Sequence, residues 1–268
     1  MILLNDDMKN ILDEFSKCEQ TEAIAIAGSR ASGDNDAMSD YDIYVYSLDG
    51  NFIPEDIRSN IYNKFCSKSE IGNSYFETED NIILNCGIYA DIIFRNMRSF
   101  SELSKYIQEG GAMLGYTTAF WHNLKNSSIY FDKCGKFAEF QKMYDIPYPQ
   151  NLRKNIIVKN MNMLSGVLPS YDKQIEKAVK RNDIVSICHR TSAYMESYFD
   201  IIFALNEMTH PGEKRLIKIC KEQCKLLPKD FEENITKVYK NMYSGYDFEA
   251  LRNMYLNLKE LVEKNIKL

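Results

Sequence analysis

The chain has 268 residues, of which 45% are apolar and 26% charged, with 33 Lys+Arg against 38 Asp+Glu for a net charge of −5. This is globular composition, and it excludes a disordered, collagenous or disulfide-stapled chain; the length suits one large domain or two modest ones. No window approaches the roughly 18 consecutive apolar residues of a membrane span, and the negative balance argues against nucleic acid as a partner, which needs basic surface.

Met1–Asp7 has no basic region and turns acidic at once, unlike a secretory signal. The seven cysteines are scattered without CxxC spacing, the pattern of reduced thiols, so a cytoplasmic location is expected. Met8, Ile11, Leu12 and Phe15 recur at helical spacing, and Glu22–Ala27 reads as a strand. Asp42–Tyr46 reads as a second strand, and Ile57, Ile61 and Phe65 as another helix face. Ile82–Cys86 and Ile88–Phe94 form a strand pair around Gly87, and Ile129–Asp132 a short last strand. Asp145–Pro149 is a breaker. Beyond it the periodicity predicts helices over 150–166, 170–181, 183–206, 213–226, 229–242 and 246–265, punctuated by Pro169, Pro211 and Pro228.

The expected architecture is therefore α+β: residues 1–145 form a mixed sheet with flanking helices, and residues 146–268 an all-helical C-terminal domain. Charge divides at the same place. Residues 1–145 hold 13 Lys+Arg and 23 Asp+Glu, a net of −10, while the remainder holds 20 and 15, a net of +5. An acidic half that binds metal beside a basic half that neutralises phosphate would produce that asymmetry.

One stretch carries chemistry: Gly28-Ser29-Arg30-Ala31-Ser32-Gly33-Asp34-Asn35-Asp36-Ala37-Met38-Ser39-Asp40-Tyr41-Asp42-Ile43. A Gly-Ser turn at the end of a strand offers backbone N–H groups and a hydroxyl to phosphate oxygens. Asp40 and Asp42 lie two apart at a strand start, where period-2 geometry points both carboxylates to one face. Like charges that close repel unless a cation lies between them, and oxygen ligands suit Mg²⁺ or Mn²⁺. Asp91, a charge within an apolar strand, is costly unless paired or metal-bound. Glu77, Glu79 and Asp80 compete for that third position, and Asp132 is placed to cap a helix.

In spacing and residue types this stretch resembles the signature of the nucleotidyltransferases of the DNA polymerase β superfamily, and with Asp91 the resemblance spans about residues 20–135. The layout of a minimal catalytic domain followed by helices is similar to the bacterial aminoglycoside and lincosamide nucleotidyltransferases. The resemblance implies Mg-dependent transfer of a nucleoside monophosphate, AMP from ATP, to a hydroxyl of a small-molecule acceptor, with release of pyrophosphate. By the same resemblance Asp40, Asp42 and Asp91 are the catalytic, metal-holding carboxylates, and Gly28 and Ser29 hold the triphosphate. Arg30 either touches phosphate or pairs with Asp34 or Asp36. A nucleotidyltransferase-like antitoxin and a nucleotide-binding regulator, both acting on a protein partner, are the alternatives. A homodimer would follow if a second subunit completed the site.

In the second half, His210-Pro211-Gly212-Glu213-Lys214-Arg215-Leu216 looks like a segment of an uncharacterised group of nucleotidyltransferase-like bacterial proteins. Lys214 and Arg215 project two cations from the start of a predicted helix, where they would bind β/γ-phosphates. His189 and Arg190 form a second cationic pair on a long helix. Tyr116, Trp121, Tyr144 and Tyr148 are candidates for an acceptor pocket. Cys220 and Cys224 read as packing, because His210 is too weak a partner to complete a metal site.

Overall fold

The computed structural model describes residues 4–28, 30 and 39–266. Among these residues six strands form one mixed sheet: β1 (Ala23–Ala27), β2 (Tyr41–Ser47), β3 (Cys66–Asn73), β4 (Glu79–Leu84), β5 (Tyr89–Asn96) and β6 (Ser128–Asp132). Their order is β3-β4-β5-β2-β1-β6. Only β2 and β5 pair in parallel, and the other neighbours are antiparallel. Gly87 at φ +88° closes the β4–β5 hairpin, where its N–H donates to the Leu84 carbonyl at 2.8 Å. The parallel pair needs a long crossover, and residues 48–88 supply it.

One face of the sheet is covered by α1 (Asp6–Ser16) and α2 (Glu55–Phe65). Asn5 caps α1 by accepting from the Asp7 and Met8 N–H groups, which satisfies two orphan donors. Met8, Ile11, Leu12 and Phe15 of α1 are fully buried against Ile24, Ile43, Ile92 and Phe94 of the sheet. The four helix positions are those the periodicity predicted. The other face carries Tyr46, whose ring packs on Phe100 at 5.3 Å and on Phe137 at 4.8 Å. These residues come from α3 (Ser99–Glu109) and α5 (Lys136–Met143). Asp132 accepts from the N–H groups of Phe137 and Ala138 at the start of α5, a cap and not a ligand position.

The strand β3 carries no sequence signal. Its residues, Cys-Ser-Lys-Ser-Glu-Ile-Gly-Asn, lack apolar alternation because it is an edge strand with solvent on most of its surface.

The chain divides into two compact units. The first comprises the residues up to Ser104 together with Asn123–Ile146, and the second Lys105–His122 with the chain from Pro147 onward. One crossing falls at the breaker expected near residue 145. The Lys105–His122 segment, which the sequence places with the sheet, belongs to the helical unit. It runs past the end of α3 and into α4 (Ala119–Asn126). The rest of the second unit is helical: α6 (Gln150–Leu164), α7 (Tyr171–Lys180), α8 (Ile184–Leu205), α9 (Leu216–Gln223), α10 (Phe231–Lys240) and α11 (Phe248–Asn265). Every residue from Ser197 to Leu205 of α8 is buried, as for the central helix of a bundle. Among the described residues no helix is long and apolar enough to cross a membrane.

Polar side chains explain why the 105–122 segment joins the helices. Irregular backbone that packs inside a protein needs partners for its N–H and C=O groups. Asn155 donates to the Gly110 carbonyl at 2.8 Å, and Asn160 accepts from the Gly115 N–H at 3.2 Å. Asp200 accepts from the Thr117 N–H at 3.1 Å and from its hydroxyl at 2.6 Å. Asp200 is only 1% exposed, and burial pushes its carboxyl up to about 6 despite bonds from Thr117 and Asn160.

This upward shift sets a sign. The fold favours the protonated Asp200, so its contribution is fully present below the usual carboxylate pKa near 4 and is lost as pH rises to about 6. The loss amounts to roughly 3 kcal/mol across that window. Asp200→Asn is expected to remove this part of the pH dependence. Urea unfolding of both proteins from pH 4 to pH 7 reads it directly, and identical pH slopes would refute the assignment.

Candidate functional site

The sheet register brings two of the predicted carboxylates together. Asp42 of β2 is the direct parallel partner of Asp91 of β5. Residues paired in this way project to the same face, here the one opposite α1 and α2. Asp42 is also the partner of Ala27 at the end of β1, so the next residue, Gly28, lies beside the pair. Gly28 has φ +64°, and a Cβ built on it would lie 1.8 Å from Asp42 Oδ2. The glycine is therefore required twice, by its left-handed backbone and by the carboxylate against its Cα.

Gly28→Ala tests that close approach. The left-handed φ alone costs about 1–2 kcal/mol for a residue with a Cβ, and the methyl group must displace the Asp42 carboxylate. A lower melting temperature is expected, and an unchanged one would show that the close approach of Asp42 to Gly28 is relaxed at no cost.

Asp40 is placed differently. The ladder begins at Tyr41, paired with Ala90, so Asp40 lies one residue outside the strand and is exposed. Its carbonyl, with that of Ser39, accepts from Arg30 Nε at 3.1 Å. The Arg30 guanidinium also stacks over the Tyr41 ring at 3.9 Å. Arg30 thus fastens the backbone leading into β2. Ser29 and residues 31–38, including Asp34 and Asp36, lie outside the described residues. Among the described residues no group of three or more His, Cys, Asp or Glu side chains gathers as a metal site. The pair that the fold assembles is Asp42 with Asp91.

Strand alternation sorts the acids that competed with Asp91. Asp80 points to the covered face, is fully buried, and is bound by Arg58, the Tyr62 hydroxyl at 2.7 Å and the Gly72 N–H at 2.8 Å. Glu77 accepts two bonds from Arg95, which in turn stacks over Tyr44 at 4.0 Å. Glu79 shares the face of Asp91. Its carboxyl is raised by burial and then by the Asp91 charge, with Asn81 partly offsetting both. Asn81, which the sequence reading did not single out, is the β4 partner of Asp91 and donates to its Oδ1 at 2.8 Å. A polar residue two places from Glu79 in a strand with Ile82 and Leu84 on its other face is the available sequence signal.

Oxygen-only donors, a paired carboxylate and a backbone that no side chain screens fit a small divalent cation such as Mg²⁺ or Mn²⁺. Such ions keep several open positions for water and phosphate oxygens, so two protein carboxylates suffice for one.

The second-unit candidates resolve separately. Helix α9 starts at Leu216, not at Glu213, and Arg215 adopts a left-handed φ of 58° just before it. Lys214 and Arg215 are exposed in that turn, with Arg215 at the N-cap of the helix. His189 and Arg190 are exposed on α8. Trp121 and Tyr148 are buried against each other at 5.5 Å, and Tyr144 is buried in the first unit, so these rings are core. His210 is buried between Tyr116 and Phe203, and burial lowers its pKa to about 3. It is a neutral core histidine.

Residues 118–216 match a family described as a domain of unknown function, DUF4037. This covers less than half of the chain and lies outside the Gly28–Asp91 region. Among curated proteins none matches. Among solved structures, a nucleotidyltransferase-like protein from Exiguobacterium sibiricum is similar over 96% of this chain and 74% of its own, at 11% identity and TM-score 0.44. An aminoglycoside 6-adenyltransferase from Bacillus subtilis is similar over 97% and 91%, at 11% identity and TM-score 0.30. A CCA-adding enzyme in complex with ATP is similar over 98% and 82%, at 10% identity and TM-score 0.28. At these scores the likenesses are coarse, and the functional reading rests on the residues of this chain.

Proposed function

We propose that this protein is a metal-dependent nucleotidyltransferase that moves a nucleoside monophosphate, AMP from ATP, onto a hydroxyl of a small-molecule acceptor. The observation that carries the reading is the cross-strand pairing of Asp42 with Asp91 beneath the uncovered Cα of Gly28. In this reading Asp42 and Asp91 hold a divalent cation, with Asp40 as a further carboxylate at the rim. The cation supplies charge stabilisation to the transferring phosphoryl group. Gly28 and Ser29 bind phosphate oxygens in this reading.

The acceptor oxygen attacks the α-phosphorus in line. The new O–P bond forms as the bond to the bridging α–β oxygen breaks, and pyrophosphate leaves with the electron pair. The acceptor proton passes to a carboxylate on this face, Asp91 or Glu79, and then to solvent. The net charge of −10 over residues 1–145 favours a cationic acceptor. The aminoglycoside named for the Bacillus subtilis structure is an acceptor of that kind.

Pyrophosphate release tests the reading, measured with Mg²⁺ and each of the four nucleoside triphosphates against aminoglycosides, lincosamides, proteins and tRNA. Release that requires one triphosphate and one acceptor is expected. Silence across the panel, with no triphosphate bound, would overturn it.

A further inference from the structure

We infer that Asn81 is a positioning residue for Asp91, part of a side-chain relay that crosses three strands and fixes the carboxylate against Asp42. The inference rests on the reading of Asp42 and Asp91 as cation ligands. Asn81 Nδ2 donates to Asp91 Oδ1 at 2.8 Å. An asparagine amide can face either way, and its partners decide which. Here Asn73 Nδ2, from β3, donates to Asn81 Oδ1 at 2.5 Å. With its oxygen taken, Asn81 must turn its N–H donors towards Asp91.

Charge explains why an amide occupies this position. Asn81 is the cross-strand partner of Asp91 and lies two places from Glu79 on the same face of β4. A carboxylate at position 81 would add repulsion, and an apolar residue would leave Asp91 without its donor. The neutral amide holds one oxygen of Asp91 without competing for the cation. Partners that orient ligating groups in this way commonly change metal affinity by about 10–100-fold when lost.

The test is Mn²⁺ binding to the full-length chain, measured by electron paramagnetic resonance, with melting temperature recorded for each variant. Asn81→Leu is expected to weaken Mn²⁺ about tenfold, and to raise the metal concentration for half-maximal pyrophosphate release while kcat at saturating metal is retained. Asn81→Gln, which keeps the donor on a longer arm, recovers part of the affinity. Asn73→Ala, which frees the Asn81 amide to turn, weakens binding by a smaller factor. These two polar variants carry the test if Asn81→Leu does not fold. Asn81 and Asn73 variants that bind Mn²⁺ as the wild type does, while Asp42→Asn has lost it, would overturn the inference and leave the cation site standing. Equal Mn²⁺ binding by wild type and Asp42→Asn would overturn both.

Discussion

Asp42→Asn is expected to abolish pyrophosphate release while leaving the protein folded. The substitution keeps the size of the side chain and its contact beneath Gly28. On the proposed reading it removes one of the two paired charges that would hold a cation. Several kcal/mol of charge stabilisation would be lost with that cation, which corresponds to about a thousandfold or more in rate. Stability should move the other way. Asp42 and Asp91 are direct partners across the parallel pair, and like charges so placed repel. An equal or higher melting temperature is therefore expected in metal-free buffer. Turnover assays beside thermal unfolding separate the two effects. An active Asp42→Asn protein would sink the nucleotidyltransferase reading, and an inactive but unfolded one would show that Asp42 is structural instead.

Arg58→Leu is expected to be the most damaging single change to the sheet unit. Arg58 is 5% exposed, and Asp80 is fully buried. The guanidinium binds the Asp80 carboxylate, donates from Nε to the Ile53 carbonyl at 2.9 Å, and lies over the Phe94 ring at 4.6 Å. Removing it strands a carboxylate inside the core with only the Tyr62 hydroxyl and the Gly72 N–H for company. Breaking a buried pair from one side costs about 3–5 kcal/mol, a large share of a typical domain's stability. Chemical denaturation should show that loss. Adding Asp80→Asn to Arg58→Leu should recover part of it, because the stranded charge is then gone. A single variant within about 0.5 kcal/mol of the wild type, the range of ordinary surface changes, would show that the pair is dispensable.

Asp80, Glu79 and Asp91 show where sequence reading stops. All three are acids in strands, and the apolar run around Asp91 singles it out without excluding the other two. Register ranks them: Asp80 faces α2 and is neutralised by Arg58, while Asp91 faces the opposite side beside Asp42. Asn81 was missed for the same reason, since an asparagine within a strand gains a role only from the residue across the ladder. The helix start at Leu216 differs from the expected one at Glu213 because Arg215 takes a left-handed conformation that no propensity announces.

The sequence by itself determined β1, β2, β4, β5 and β6, the helices α1 and α2, the helices after residue 145, and the spacing of the Gly28–Asp42 motif. Those features are periodic or local, and each is written in spacing along the chain. Only the tertiary structure decided that Asp91 pairs with Asp42, that Asp40 lies exposed one residue outside the strand, and that Lys105–His122 belongs to the helical unit. Those outcomes depend on strand register and on polar side chains such as Asn160 and Asp200, which capture backbone from distant segments. Contacts of that kind are set by which surfaces bury together, and spacing along one strand or helix does not encode them.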